Sequence, residues 1–432
     1  MSDDSIEPGI DDQLIGDFLV ERATINPAGI IEHNMISCPS FATTPAAEAN
    51  MRDSEASPWK VRWQMELKSV LIVSCVTLFL LGCVAVPAER GIQSARFEFA
   101  LIGDVPYDGR TEKEFANVMK QINAADLAFV VHNGDFWGDG GNWSEQARPE
   151  LAPQVATYAF VGGLPPCGDE TFQDRLRLAQ SSRHPFVLVP GDNEWTDCHR
   201  AKPRTYDPLE RLTKLRQMFF QGDQSLGQRT MRLTRQSEDS RYAKFQENVR
   251  WTYGDVLFVT LHVVGSNNNL ARTPQMDAEY SERNAANLAW LRQAFDFAVR
   301  SSSKGIMIIA QANLLFENSW PPDVQRRYML GGLGLKSPEK RRTTGFDEIL
   351  AALEKETVAF GKPVVYVHGD THVFRVDKPL IGSKSRRIIE NFTRVETFGH
   401  PDTHWVRAIV DSRDPNVFSF QQEIVKENLV NH

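Results

Sequence analysis

Four apolar runs that stop at the same dipeptide constrain this chain more than any other feature. F-E-F-A-L-I ends at Gly103-Asp104, L-A-F-V-V-H-N at Gly134-Asp135, V-L-V-P at Gly191-Asp192 and V-V-Y-V-H at Gly369-Asp370. Short runs rich in β-branched and aromatic residues, closed by Gly or Pro, read as buried strands. One Gly-Asp after a strand is an ordinary turn. Four of them, separated by helix-like stretches, point to carboxylates converging on one edge of an α/β domain. The helix-like stretches run over 111–124, 276–302 and 346–360. Two further runs, L-F-V-T-L-H-V-V before Gly265 and I-M-I-I-A-Q-A-N, extend the alternation. Residues 205–251 are less regular and read as an insertion against the site; within them Asp207-Pro208 predicts a helix N-cap and first turn.

The chain has 432 residues, 41% hydrophobic and 24% charged, which is ample for a large core. A net charge of -8 without a long Lys/Arg run excludes nucleic acid as an expected partner. Residues 1–64 show no sustained period and read as a disordered or misassigned extension, with Met65 as an alternative start. Val70 to Val86 form an uninterrupted apolar run after Lys60, Arg62 and Lys68. It reads as a signal peptide or membrane anchor over 65–88, with a buried core helix as the plain alternative. Leu80-Leu81-Gly82-Cys83 resembles the bacterial lipobox, and a spanning signal anchor competes with it because the run is near the ~17-residue minimum for crossing a bilayer. The expectation is an exported protein, periplasmic or tethered to a membrane, with its folded domain over 95–432.

Of five Cys, only Cys167 and Cys198 follow the apolar run. An exported domain then carries one even pair, and a disulfide is expected, against two unrelated buried thiols.

The order G-D, G-D, G-D-N-E, Q-A-N, G-D-T-H resembles the calcineurin-like metallophosphoesterases, which include the purple acid phosphatases. That family carries D-x-H, G-D, G-N-H-[DE], a lone His and G-H-x-H at strand ends. The resemblance covers roughly Phe97 to the C-terminus. It implies a two-sheet β-sandwich flanked by helices, with a dinuclear metal site at one edge. Asp104 matches the first ligand Asp, Asp135 the bridging Asp and His372 the last His. Elsewhere the chain departs from the pattern. Pro106 replaces the His of D-x-H and is followed by Tyr107; a Tyr serves as an iron ligand in purple acid phosphatases, although there it comes from the second motif. Asp192 stands for the ligand Asn, Asn193 for the catalytic His, Gln311 or Asn313 for the lone His, and Asp370 for the first His of G-H-x-H.

The expected metal ligands are therefore Asp104, Asp135, Asp192, Gln311, Asp370 and His372. Oxygen donors in place of imidazole favour Mg²⁺, Mn²⁺ or Ca²⁺, while iron or zinc suits the first position. The implied reaction is hydrolysis of a phosphorylated small molecule or lipid through two divalent ions. Asn193 can hydrogen-bond a phosphoryl oxygen but cannot release a proton at neutral pH, so His199 is the first candidate for the acid, against a plain surface-loop His. His132 and His262 read as core histidines near an edge, and His368 as support for Asp370. His400 and His404 belong to the rim or to a His-rich turn. A catalytically impaired protein that keeps the fold to bind phosphate or a partner is the competing reading.

Overall fold

The computed structural model describes residues 95–138, 164–201, 203–320, 324 and 344–430. The chain separates into residues 1–86 and 87–432, and all described residues belong to the second unit. Val70–Val86 and the lipobox-like tetrapeptide lie outside the described residues. Among the described residues no helix is long and apolar enough to cross a membrane.

The fold is mixed α/β, two sheets packed face to face with helices on their outer sides. The first sheet holds β1 (Arg96–Ile102), β2 (Val130–His132), β3 (Phe186–Leu188), β11 (Trp405–Asp411) and β12 (Phe418–Glu423), in the order β12-β11-β1-β2-β3. Its β1, β2 and β3 are mutually parallel. The second sheet holds β4 (Thr234–Arg235), β5 (Val249–Tyr253), β6 (Val256–Thr260), β7 (Gly305–Ile309), β8 (Val364–His368), β9 (Arg375–Asp377) and β10 (Phe392–Glu396). Its order is β4-β5-β6-β7-β8-β10-β9, with β6, β7, β8 and β10 parallel.

Alternation along each strand accounts for the layers. In β1, Phe97, Phe99 and Leu101 face the second sheet and meet Phe258, Met307, Ile309, Val365 and Val367 in a shared core. Ala100 and Ile102 face outward onto α1 (Gly109–Ala124), α2 (Asp169–Gln180) and α3 (Pro208–Phe219). On the far side, Leu257, Val259, Ile306, Ile308 and Tyr366 meet α4 (Pro274–Arg300) and α5 (Asp347–Phe360). Both faces of each parallel strand are covered, which is why these strands read as continuous apolar runs.

The predicted helices are present within two residues at each end. Asp108 caps α1, accepting from Arg110 N at 3.0 Å and Thr111 N at 2.7 Å. Asp207 caps α3, with Pro208 in its first turn as predicted. The expectation of an insertion over 205–251 is corrected by the strand pairing. Only α3 and the turns around it are added, because Thr234–Arg235 pairs with β5, and Val249–Tyr253 pairs antiparallel with β6, as strands of the second sheet.

Cys167 and Cys198 are bonded, with Cα atoms 5.8 Å apart and a sequence separation of 31. A loop of that length predicts that reduction, or Cys167→Ser with Cys198→Ser, lowers unfolding stability by about 3–4 kcal/mol through chain entropy. Denaturant midpoints with and without reductant check this, and an unchanged midpoint would refute it.

Candidate metal centre

Strand order decides what meets at the carboxyl edge. β1, β2 and β3 are neighbours and deliver Asp104, Asp135 and Asp192; β7 and β8 are neighbours in the facing sheet and deliver Gln311 and Asp370. All five are buried or nearly so, with Asp104 and Gln311 at 0% exposure. Five of the six expected ligands thus come directly from strand ends, and His372 follows two residues after Asp370.

The backbone there is unusual. Asp104, Asp135, Asp370 and His372 all have left-handed φ, at 53°, 55°, 74° and 63°. Asp tolerates this region better than most residues, yet four such residues at one edge mark stored strain of the kind found at ligand-binding sites. Two glycines allow the close approach. A Cβ on Gly369 would lie 1.9 Å from Asp104 Oδ2, and one on Gly265 would lie 2.6 Å from Asp192 Oδ2 and 2.7 Å from Asp370 Oδ1.

Contacts link the two halves. Asp104 Oδ1 accepts from Asp370 N at 2.9 Å and lies 3.6 Å from His372 Nε2. Asp135 Oδ1 accepts from Asn193 N at 3.1 Å, and its Oδ2 accepts from the Tyr107 hydroxyl at 3.1 Å. The same hydroxyl is 3.3 Å from His372 Nε2. Tyr107 therefore stands between Asp135 and His372, which suits the Tyr that follows Pro106. His372 donates from Nδ1 to the carbonyl of His400 at 2.6 Å. That bond fixes the tautomer and leaves Nε2 with its lone pair facing Asp104, the arrangement typical of a metal-binding imidazole. Burial holds His372 down at about 4, so the ring is neutral.

Gln311 reaches the carboxylates with its nitrogen. Nε2 donates to Asp135 Oδ2 at 3.3 Å and to Asp192 Oδ1 at 3.2 Å, while Oε1 accepts from Gly265 N at 2.6 Å. Asn313 donates its backbone N–H to Asp370 Oδ2 at 3.0 Å. Asn193 points its amide at Tyr107 Oη, 3.2 Å away, and at the carbonyl of Trp137, 3.0 Å away.

His199 is not brought to this cluster. It is exposed on the turn after Trp195, with Nδ1 on the carbonyl of Thr196 at 2.9 Å and Arg272 Nη2 3.2 Å away. The disulfide holds this turn as expected, but the turn carries the imidazole outward. His132 is buried and donates from Nε2 to Val105 O at 2.9 Å; His262 pairs with Glu247 at 2.7 Å. Both are core histidines. His368 donates from Nδ1 to Gly369 O at 2.7 Å, and His400 stacks on Tyr107 with ring centroids 5.3 Å apart.

Two residues that sequence reasoning passed over organise the edge. Glu194, fully buried, accepts from the backbone N–H groups of Asp135 at 3.0 Å, Gly191 at 2.6 Å and Phe136. It ties the β2 and β3 loops into one unit. Its signal was on the page as the [DE] of the G-N-H-[DE] pattern. Asp197, also fully buried, accepts from Ser266 Oγ at 2.8 Å and pairs with Arg272 at 2.9 Å, joining the same loop to the second sheet. Removing the Glu194 carboxylate by Glu194→Ala strands three buried N–H groups. At about 1–3 kcal/mol for each unpaired group, a loss of at least 3 kcal/mol in unfolding stability is expected, read from denaturant midpoints. A change below 1 kcal/mol would refute this role.

Electrostatics set the cluster apart from an ordinary turn. Burial first, and mutual repulsion after it, push Asp104, Asp135 and Asp192 well above the usual carboxylate range; Asp370 is raised to about 6, again chiefly by burial. Burial also pushes the Tyr107 phenol up, with Asp135 adding to it. Among the described residues no Lys or Arg is hydrogen-bonded or ion-paired to any of these four carboxylates.

Among the described residues no group of three or more His, Cys, Asp or Glu side chains is arranged to hold a metal ion. The amide of Gln311 and the hydroxyl of Tyr107 occupy the carboxylate oxygens, so the cluster is closed on itself. Its chemistry nonetheless fits hard cations. Asp104 Oδ2 is buried with no hydrogen-bond partner, the other oxygen of that carboxylate faces an imidazole lone pair, and among the described residues no Lys or Arg offsets the four carboxylates.

No family model matches the chain, and no curated protein matches it. Solved structures it is similar to include one of PhoD, at 11% identity and a TM-score of 0.43 over 73% of this chain and 64% of that one. Another is 5'-nucleotidase from Candida albicans SC5314, at 11% identity and a TM-score of 0.37 over 77% of this chain and 52% of that one. The chain spans less than two thirds of the length of either. Likeness at this level does not assign an activity to the chain, and the two-sheet α/β architecture stands on the strand order itself.

Proposed function

We propose that this chain is a metal-dependent phosphoric ester hydrolase of the calcineurin-like kind, acting on a phosphorylated small molecule or lipid outside the cytoplasm, with a lipid or signal anchor at the membrane. The observation that carries it is the convergence of Asp104, Asp135, Asp192 and Asp370 from both sheets, with no Lys or Arg paired to them among the described residues. Asp104, His372 and Tyr107 would hold one divalent ion, Asp192 and Asp370 a second, and Asp135 both. Gln311 would join the second ion only if its amide oxygen left the Gly265 N–H. When bound, such a pair offsets charge on the phosphoryl oxygens and lowers the pKa of water.

The chain's own groups do the rest. Glu194 holds Asp135 and the Asp192 loop in register, and the His400 carbonyl keeps the His372 proton on Nδ1. Asn193 offers an N–H to a phosphoryl oxygen but no labile proton. With His199 turned outward, no imidazole of the described residues faces a leaving group at this edge. Aryl phosphates should therefore be hydrolysed far faster than alkyl phosphates, by at least ~100-fold, the scale general acid catalysis usually supplies. Equal rates on p-nitrophenyl phosphate and an alkyl phosphate would mean that a proton donor has been missed.

The test is hydrolysis of p-nitrophenyl phosphate and bis(p-nitrophenyl) phosphate by metal-stripped full-length protein, alone and with Mg²⁺, Mn²⁺, Ca²⁺, Zn²⁺ or Fe²⁺. Turnover that depends on one of these ions supports the reading; a folded, metal-loaded protein that turns over neither ester sinks it. The competing reading, a phosphate- or partner-binding module, draws on the Gln311 oxygen already taken by Gly265 N–H and on Asn193 in place of a His. One tightly bound ion per chain, rather than two, would favour it.

A further inference from the structure

Glu396 is, after Glu194, a second buried glutamate at this edge, and nothing in the motif pattern calls for it. It is the last residue of β10, fully buried, and stands beside His368 in the parallel pairing of β8 with β10. The chain leaves β8 there and makes the tight loop Gly369-Asp370-Thr371-His372-Val373.

Glu396 grips that loop on both sides of His372. Oε1 accepts from the Thr371 hydroxyl and from Val373 N at 3.1 Å, and Oε2 pairs with Arg375 Nη2 at 2.6 Å. His372 within that span and Asp370 just before it both have left-handed φ, 63° and 74°, a conformation His does not keep without outside support. His368 does not supply that support. Its Nδ1 proton goes to Gly369 O, and its Nε2 faces Glu396 Oε2 across 3.9 Å, lone pair to carboxylate, with no hydrogen bond between them. The loop is therefore held through Oε1 and the Arg375 pair.

We infer that Glu396 is a positioning residue for His372 and Asp370, fixing them for cation binding as Glu194 fixes Asp135 and Asp192. The two halves of the site would each rest on one buried glutamate that touches no ligand: Glu194 through three backbone N–H groups, Glu396 through the Val373 N–H, the Thr371 hydroxyl and Arg375. This inference rests on the reading of His372 and Asp370 as metal ligands, so its test needs one readout that does not depend on metal. The His372 Nδ1 proton, bonded to the His400 carbonyl, supplies it as a downfield ¹H resonance that His372→Gln removes.

The experiment compares full-length wild type, Glu396→Ala, Glu396→Gln and Thr371→Val by that resonance and by Mn²⁺ titration calorimetry. Glu396→Ala should lose the resonance and weaken Mn²⁺ binding by about 10–100-fold, the usual cost of removing an outer partner of a ligand. Glu396→Gln keeps an acceptor for Val373 N and should restore most of both, a rescue that general destabilisation would not produce. If Glu396→Ala does not fold, Thr371→Val decides. Thr371 is exposed, and loss of its hydroxyl should weaken both readouts in a folded protein. A folded Glu396→Ala, or failing that Thr371→Val, with the resonance and Mn²⁺ affinity of wild type would overturn the inference. Wild type that binds no Mn²⁺ while Glu396→Ala still loses the resonance would leave the positioning role standing and remove the metal reading instead.

Discussion

Asp135→Asn is expected to abolish the proposed metal-dependent hydrolysis of p-nitrophenyl phosphate while the protein remains folded. That is the largest single effect expected of this chain. Asp135 is the carboxylate through which both halves of the edge communicate: Oδ1 faces the Asn193 loop, and Oδ2 faces Tyr107 and Gln311. Asn has the same shape, so packing survives, but one oxygen becomes an N–H₂ aimed at a donor, and the charge that would bridge two cations is gone. The fall in kcat/KM should exceed the ~10–100-fold that follows loss of an outer partner of a ligand. Far-UV circular dichroism checks the fold alongside the assay. Turnover within tenfold of wild type would remove Asp135 from the mechanism and, with it, the dinuclear reading.

The second large effect is a stability profile that runs against the common one. Metal-free protein should be more stable at pH 5 than at pH 7.5, and a divalent ion should cancel the difference. Asp370 rises from an ordinary 3.8 to about 6 in the fold, and Glu194 from 4.5 to about 7, both chiefly through burial. An acid whose pKa is raised on folding binds more protons folded than unfolded between those two values. Its stabilising contribution is present below the unfolded value and is lost as pH climbs through the folded one. For Asp370 alone the loss between about pH 4 and pH 6 is on the order of 3 kcal/mol. Asp104, Asp135 and Asp192 shift in the same direction and extend the loss upward in pH. A cation bound among them removes the repulsion and adds about 2.7 kcal/mol at a hundredfold excess over Kd. Melting temperatures with chelator and with Mn²⁺ across this range are the check. A metal-free protein whose stability rises from pH 5 to pH 7.5, or one indifferent to chelation at pH 7.5, would show that these carboxylates are not the site.

Much of this edge was legible residue by residue. Asp104, Asp135, Asp192 and Asp370 each follow an apolar run and a Gly, and turn chemistry of that kind is local. His372 was legible because it lies two residues past one of them. His199 was misplaced for the same reason. Nearness in sequence put it six residues from Asn193, but the tight turn that starts at Thr196 sends successive side chains in different directions, and His199 faces solvent. Residues 249–251 passed for part of an insertion although Val249 to Tyr253 alternates apolar and polar residues, because the segment before them is irregular and only pairing with β6 makes them part of the sheet.

Glu396 was out of reach of any reading along the chain. It ends a strand with no Gly-Asp after it, and its role depends on β10 lying beside β8. Tyr107 shows the same limit, since its hydroxyl meets a ring nitrogen of His372, 265 positions away.

The sequence by itself determined the strand ends, the acids placed on them and the pairing of Cys167 with Cys198, because hydrophobic periodicity, turn residues and cysteine number act over a few residues or by simple count. The tertiary structure decided which atoms of those residues face one another: the nitrogen of Gln311 and not its oxygen, the lone pair of His372, the unpartnered oxygen of Asp104. Those choices are made by strand order and by backbone N–H groups from distant loops, and each is a competition among buried polar atoms for partners that only the assembled fold supplies.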